Sequence, residues 1–189
     1  FLGEHGWFDK RLMMEESLRM PFLIRYPKEI PAGKTNQDIV LNIDFAPLFL
    51  DYAGIKIPSQ MQGKSFRKNL KGETPSDWRK EMYYRYWMHA DDAHNVCSHY
   101  GIRTERYKLI YFYGQRLGMT GSHDKPLTPE WELYDLQNDP TEMNNIYKDP
   151  SQAELIKELK NKLVELKKQY DDLDSKYPVL DNLNKTYFW

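Results

Sequence analysis

Cysteine is nearly missing from this chain: Cys97 is the only one in 189 residues, so no intrachain disulfide can form. A single thiol suits a reducing compartment, and equally an exported protein that needs no bridges. An excess of one charge is also missing. Lysine and arginine number 27 against 28 aspartates and glutamates, and without a basic stripe there is no electrostatic case for nucleic acid. No apolar run reaches the length of a membrane span. Phe1-Leu2-Gly3 has neither the basic start nor the apolar stretch of a signal peptide, and the first residue is not Met. The sequence therefore reads as one that begins partway through something longer. Aromatics, by contrast, are abundant (14 Tyr, 8 Phe, 5 Trp), which argues for a packed core and against disorder. The length allows one sizeable core, or one core with a subdomain.

Gly3 and Gly6 around His5 suggest a tight loop. Residues 20–27, bracketed by Pro21 and Pro27, read as a short buried strand. A helix is expected from Phe45, with Asp44 as N-cap, Pro47 in its first turn and Gly54 stopping it. Residues 55–72 are a polar connection. Four aromatic or β-branched runs follow, at 82–87, 99–104, 107–113 and 131–136, with no helical pattern between them, which implies an antiparallel sheet. Residues 114–129 should form an exposed loop. A capping box, Ser151 with Glu154, opens a helix expected over 151–173. Its apolar stripe is Leu155, Ile156, Leu159, Leu163, Leu166, Tyr170 and Leu173, and its lysines, Lys160 and Lys167 among them, read as a mostly solvated face.

Lys10, beside a glycine-lined turn, is suited to a sulfate or phosphate oxyanion as a point charge with three donors, although its spacing alone fits an ordinary surface lysine better. His89, His94 and His99 recur every five residues around Asp91 and Asp92. They match no metal-binding spacing, and a polar substrate-facing loop is the better reading. Cys97 reads as buried and inert. Asp135, Asn138, Asp139 and Glu142 could bind a cation, or simply build a turn.

Gly3-Glu4-His5-Gly6-Trp7-Phe8-Asp9-Lys10-Arg11, then Glu15 to Pro21, resembles a stretch of formylglycine-dependent sulfatases of the alkaline-phosphatase superfamily. The similarity continues in order through Asn42-Ile43-Asp44, Gln62-Gly63-Lys64-Ser65, Tyr100 to Ile110 and Glu132 to Asn145. The resemblance implies an α/β chain. Residues 1–75 would end the catalytic domain (lysine loop, strand, helix), and residues 76–189 would form an antiparallel sheet subdomain packed by a C-terminal helix. It also implies sulfate-ester hydrolysis by a formylglycine made from a C/S-x-P-x-R motif, with Ca2+ orienting the sulfate. The substrate would be a sulfated small molecule or oligosaccharide, and the setting periplasmic, extracellular or lysosomal. Lys10 matches the family lysine that reaches the sulfate, His5 falls in the same motif, and His99 matches a position placed against the substrate sugar. Neither C-x-P-x-R nor S-x-P-x-R occurs here, so the nucleophile and the calcium ligands are expected upstream of Phe1, with no metal ligand in this chain. These 189 residues alone should not turn over. The rival readings are a phosphodiesterase or phosphonate hydrolase of the same superfamily, and a non-catalytic carbohydrate-binding module with Tyr84, Tyr86, Trp87, Tyr111 and Tyr113 as its platform.

Overall fold

The computed structural model describes residues 1–189. Four strands, β1 (Glu81–Tyr86), β2 (His99–Thr104), β3 (Tyr107–Phe112) and β4 (Glu130–Asp135), pair antiparallel in sequence order. The helices are α1 (Glu15–Leu18), α2 (Phe45–Tyr52), α3 (Arg67–Lys71), α4 (Ala153–Gln169) and α5 (Pro178–Tyr187). No helix is long and apolar enough to cross a membrane. Two compact units result: residues 1–20 with 81–189, and residues 21–80. Within this chain the lysine loop thus groups with the sheet, whereas the sequence placed it with residues 21–75.

The first unit is built on the two faces of the sheet. Side chains alternate along a strand, so Tyr100, Ile102, Leu109, Tyr111, Trp131 and Leu133 turn to one face, where Leu159, Leu163 and Leu166 of α4 and Leu180 of α5 cover them. The opposite face presents Ile110 and Tyr134, and Met13 and Met14 of the N-terminal segment pack there. Gly101 makes that approach possible. A Cβ at this position would lie 2.3 Å from the Leu109 carbonyl oxygen and 2.7 Å from Met13 Sδ. A charged group is sealed in beside them: Lys108 is fully buried, 3.0 Å from Glu15 and 2.6 Å from Glu142, while Arg103 holds Glu15 at 3.0 Å. Burial pushes the Glu142 carboxyl up, whereas at Glu15 the burial effect is outweighed by Arg103 and Lys108 and the carboxyl stays below its ordinary range.

The strands fall within a residue of their expected positions, but the C-terminal region differs from expectation in three ways. The cap of the long helix is Asp149, accepting from the Ser151 amide at 2.9 Å, ahead of a 3-10 turn at Pro150–Gln152 that displaces the Ser151–Glu154 box. The helix ends at Gln169, and after Asp171 (φ 54°) a further helix, α5, folds back. Lys160 and Lys167 are buried, not solvated. Lys160 sits 4.3 Å from the Trp131 ring and donates to Tyr147 Oη and the Phe188 carbonyl; Lys167 lies 3.4 Å from the Tyr100 ring and donates to Asp174. Their long stems reach partners that α5 and its lead-in supply. Burial pulls both ammonium groups down to about 8.

In the second unit, Leu48, Phe66 and Trp78 form a small core. Asp44 holds the N-cap position of α2, but its side chain makes no capping hydrogen bond to that helix. Its fully buried carboxylate accepts from the Leu41 amide (2.7 Å), the Lys64 amide (2.8 Å) and the Arg79 guanidinium. A 3-10 turn at Asn42–Asp44 places it three residues into the helical run, where its side chain reaches back to Leu41. The strand expected over 20–27 does not form. Residues 21–26 pair with no neighbour and are exposed, with Leu23 95% accessible, because a strand needs a partner for its backbone groups and Pro21 and Pro27 offer no N–H.

Candidate active site

A bridge between Leu2 and Phe8 closes the first loop, with Gly3 (φ 125°) and Gly6 (φ 73°) supplying the backbone angles of the turn. The Gly3 amide donates to the Trp7 carbonyl at 2.9 Å and the Gly6 amide to the Gly3 carbonyl at 3.0 Å. Lys10 leaves this turn into a cleft lined by Trp7, Phe8, Asp9, Ala93 and His94. Lys10 is exposed, and its ammonium makes no hydrogen bond or ion pair within the chain.

The residues on either side of Lys10 are tied down. Asp9 pairs with Arg11 and lies 3.0 Å from His94 Nε2. The Arg11 carbonyl accepts from Tyr84 Oη of β1 at 3.1 Å. His94 Nδ1 is 2.8 Å from Asp91, whose carboxylate also accepts from the Ala93 and His94 amides at 3.1 Å and from Tyr86 Oη at 3.4 Å. Burial tends to raise the Asp91 carboxyl, but the hydrogen bonds from His94 and these amides hold it below the usual carboxylate range. With Asp9 and Arg11 neutralising one another, Lys10 remains an unmatched cation against an apolar wall, an arrangement that takes an anion.

The other sequence candidates do not join it. His5 sits on a left-handed backbone (φ 54°), edge-on to Phe1 and 3.7 Å from Glu16, outside the cleft lining. His99, expected against the sugar, is fully buried among Tyr84, Tyr86 and Phe112. Its Nδ1 donates to the Cys97 carbonyl at 2.7 Å, and burial pulls it down to about 4, so the ring is neutral. The three histidines diverge: His89 accepts from the Ser98 amide at 3.2 Å and donates to the Lys125 carbonyl at 2.7 Å, fastening the 114–129 loop. Burial pushes the Cys97 thiol up to about 11, as an inert cysteine requires. The acidic turn is satisfied internally, Asp135 by Arg106 at 2.7 Å and Asp139 by the Asn144 amide at 2.8 Å. The aromatic platform does not present a common solvent face. Tyr111 and Tyr113 are fully buried, and Trp87 packs against Arg85 and Tyr177.

Calcium takes six to eight oxygen ligands, and the carboxylates nearest Lys10 do not make such a set. Asp9 is committed to Arg11 and His94, and Asp91 to His94. Sequence reasoning missed Asp9, His94, Asp91 and Tyr84 as the supports of Lys10. The Asp9-Lys10-Arg11 run carried a local hint, whereas nothing in sequence links it to His94.

The family described as N-sulphoglucosamine sulphohydrolase, C-terminal, matches residues 3–169. The chain belongs to the sulfatases. Its architecture is that of the C-terminal part of an alkaline-phosphatase-like sulfatase fold. Among sulfatase relatives, N-acetylglucosamine-6-O-sulfatase of Bacteroides thetaiotaomicron is 51% identical over 176 residues, which are 92% of this chain and 29% of that protein. An arylsulfatase of Clostridium perfringens is 30% identical over 189 residues, 98% of this chain and 34% of that protein. A solved structure of a protein in complex with its substrate D-glucosamine-2-N,6-O-disulfate superposes with a TM-score of 0.81 at 51% identity, covering 92% of this chain and 33% of that one. The chain spans about a third of the length of the curated relatives it matches.

Proposed function

We propose that this chain is the sulfate-lysine and C-terminal portion of a sulfatase that hydrolyses sulfate esters of sulfated sugars, with 6-O-sulfated glucosamine as its substrate class. The observation that carries the reading is the unpaired ammonium of Lys10, a residue lining the cleft between two neighbours whose charges are already matched. A preorganised cation that spends nothing on the protein is free to stabilise charge on the sulfate oxygens as the ester bond breaks. The likeness to a glucosamine 6-O-sulfatase and to a disulfated-glucosamine complex supports the choice of sugar. In this reading the formylglycine and the calcium ligands are supplied by residues outside 1–189, and these residues alone release no sulfate.

The test is Lys10→Ala in a sulfatase form that contains this segment, assayed on glucosamine 6-O-sulfate. Loss of a transition-state charge partner lowers kcat by roughly 10²–10³ and leaves the fold intact. An unchanged kcat would sink the assignment of Lys10, and absence of sulfate release by any such form would sink the sulfatase reading itself.

A further inference from the structure

We propose that His94 is a positioning residue for Lys10, acting through Asp9; the inference rests on Lys10 being the sulfate-binding group. Because the Lys10 ammonium touches no protein partner, only the backbone at residues 9 and 10 aims it. That backbone is strained: Asp9 has φ 100°, outside the range that side-chain-bearing residues favour. Such a conformation persists only where the surroundings over-determine it.

Two groups grip the Asp9 carboxylate, and they are not equivalent. Arg11 lies two residues away and moves with the loop. His94 comes from the segment between β1 and β2, and so references the loop to a different part of the unit. His94 is itself fixed. Its Nδ1 faces Asp91, and Asp91 is held by two backbone amides and by Tyr86 Oη of β1. The His94 Nδ1 lies 2.8 Å from the Asp91 carboxylate and its Nε2 3.0 Å from that of Asp9. One end reads the Asp91 anchor and the other holds Asp9. The chain of contacts therefore runs from the sheet through Tyr86, Asp91 and His94 to Asp9, one residue before the ammonium that meets the anion.

Two substitutions separate the two ends. In His94→Gln the amide nitrogen stands near the place of Nε2 and retains a donor toward Asp9. In His94→Asn it stands near the place of Nδ1 and retains only the donor toward Asp91. Backbone 15N relaxation of the 189-residue chain reads the outcome without any need for turnover, and the amides of Tyr107–Phe112 report in the same spectra that each variant is folded. The expected result is that the Asp9 and Lys10 amides keep order parameters near 0.85 in His94→Gln and fall toward 0.6 in His94→Asn. In a form that releases sulfate, His94→Asn then lowers kcat and kcat/KM together, as loss of a transition-state contact does, and His94→Gln recovers both. Equal behaviour of the two variants overturns the proposal: if both loosen residues 9 and 10, His94 only braces its own loop, and if neither does, Asp9 needs no second grip. If the order parameters split as expected but no form hydrolyses a sulfate ester, the positioning stands and the sulfatase reading falls.

Discussion

Gly101→Ala is a one-carbon change with a large expected effect. The added Cβ would meet the Leu109 carbonyl oxygen at 2.3 Å, Met13 Sδ at 2.7 Å and Ile110 Cα at 3.2 Å. An unstrained carbon contact lies near 3.5 Å, so the β2–β3 pair must open by about 1 Å or the Met13 side chain must leave. Met13 can swing away, but the Leu109 carbonyl belongs to the ladder in which Gly101 faces Ile110. Overpacking of this kind costs about 1–3 kcal/mol, and a backbone obstacle puts it at the upper end. Urea unfolding followed by tryptophan fluorescence measures it as a lower midpoint at constant slope. Met13→Ala alone, a fully buried truncation, should cost about 2–5 kcal/mol. Because that truncation removes one of the two clashes, the double variant should fall short of the sum, with a coupling of about 0.5–3 kcal/mol. A Gly101→Ala midpoint equal to that of the unaltered protein, or strict additivity with Met13→Ala, would refute the packing of the N-terminal segment on this face. That segment carries Lys10 three residues upstream of Met13, so the same substitution should also loosen the cleft.

Two further outcomes follow from buried charges. Lys108→Met leaves Glu142 buried beside Glu15 without its cation; unfolding should show a loss of about 3–5 kcal/mol, and adding Glu142→Gln should recover part of it, whereas no recovery would mean the ion pair is not what Lys108 supplies. Lys160 and Lys167, pulled down to about 8, bind fewer protons folded than unfolded between that pH and the ordinary lysine value near 10.4. Stability should therefore rise with pH across that window, by at most about 1.4 kcal/mol per pH unit per lysine, until the buried tyrosines, which burial pushes up, reverse the trend above about pH 10. Thermal melts at pH 7.5, 8.5 and 9.5 check it, and Lys160→Met should flatten the rise; a stability that falls across this range contradicts the buried placement.

How much could be read in advance depended on the range of the interaction involved. The four strands were legible because a period-two pattern and turn residues are local, and α4 because its apolar stripe recurs within one helix. Lys10 was legible only through the resemblance carried by residues 3–11, since its own spacing suits any surface lysine. The run at 20–27 has the composition of a strand, yet strand formation is a property of a pair of backbones, and in this structure no second backbone meets it. The lysines of α4 misled for a related reason. A lysine near the edge of an apolar stripe is ordinarily solvated, and what buries Lys160 and Lys167 is α5 and its lead-in, a fold-back the stripe does not announce.

By itself, then, the sequence determined the four strands and their antiparallel sheet, the helices α2 and α4, and the family, because each is carried by residues close together in the chain. Tertiary structure alone decided the surroundings of each side chain. It turned His99 into a neutral buried ring, drew the Asp44 carboxylate into a cluster with Leu41, Lys64 and Arg79, and brought His94 to Asp9 across 85 positions. Burial and partnership set the charge and aim of a group, and both depend on residues that meet only when the chain has folded.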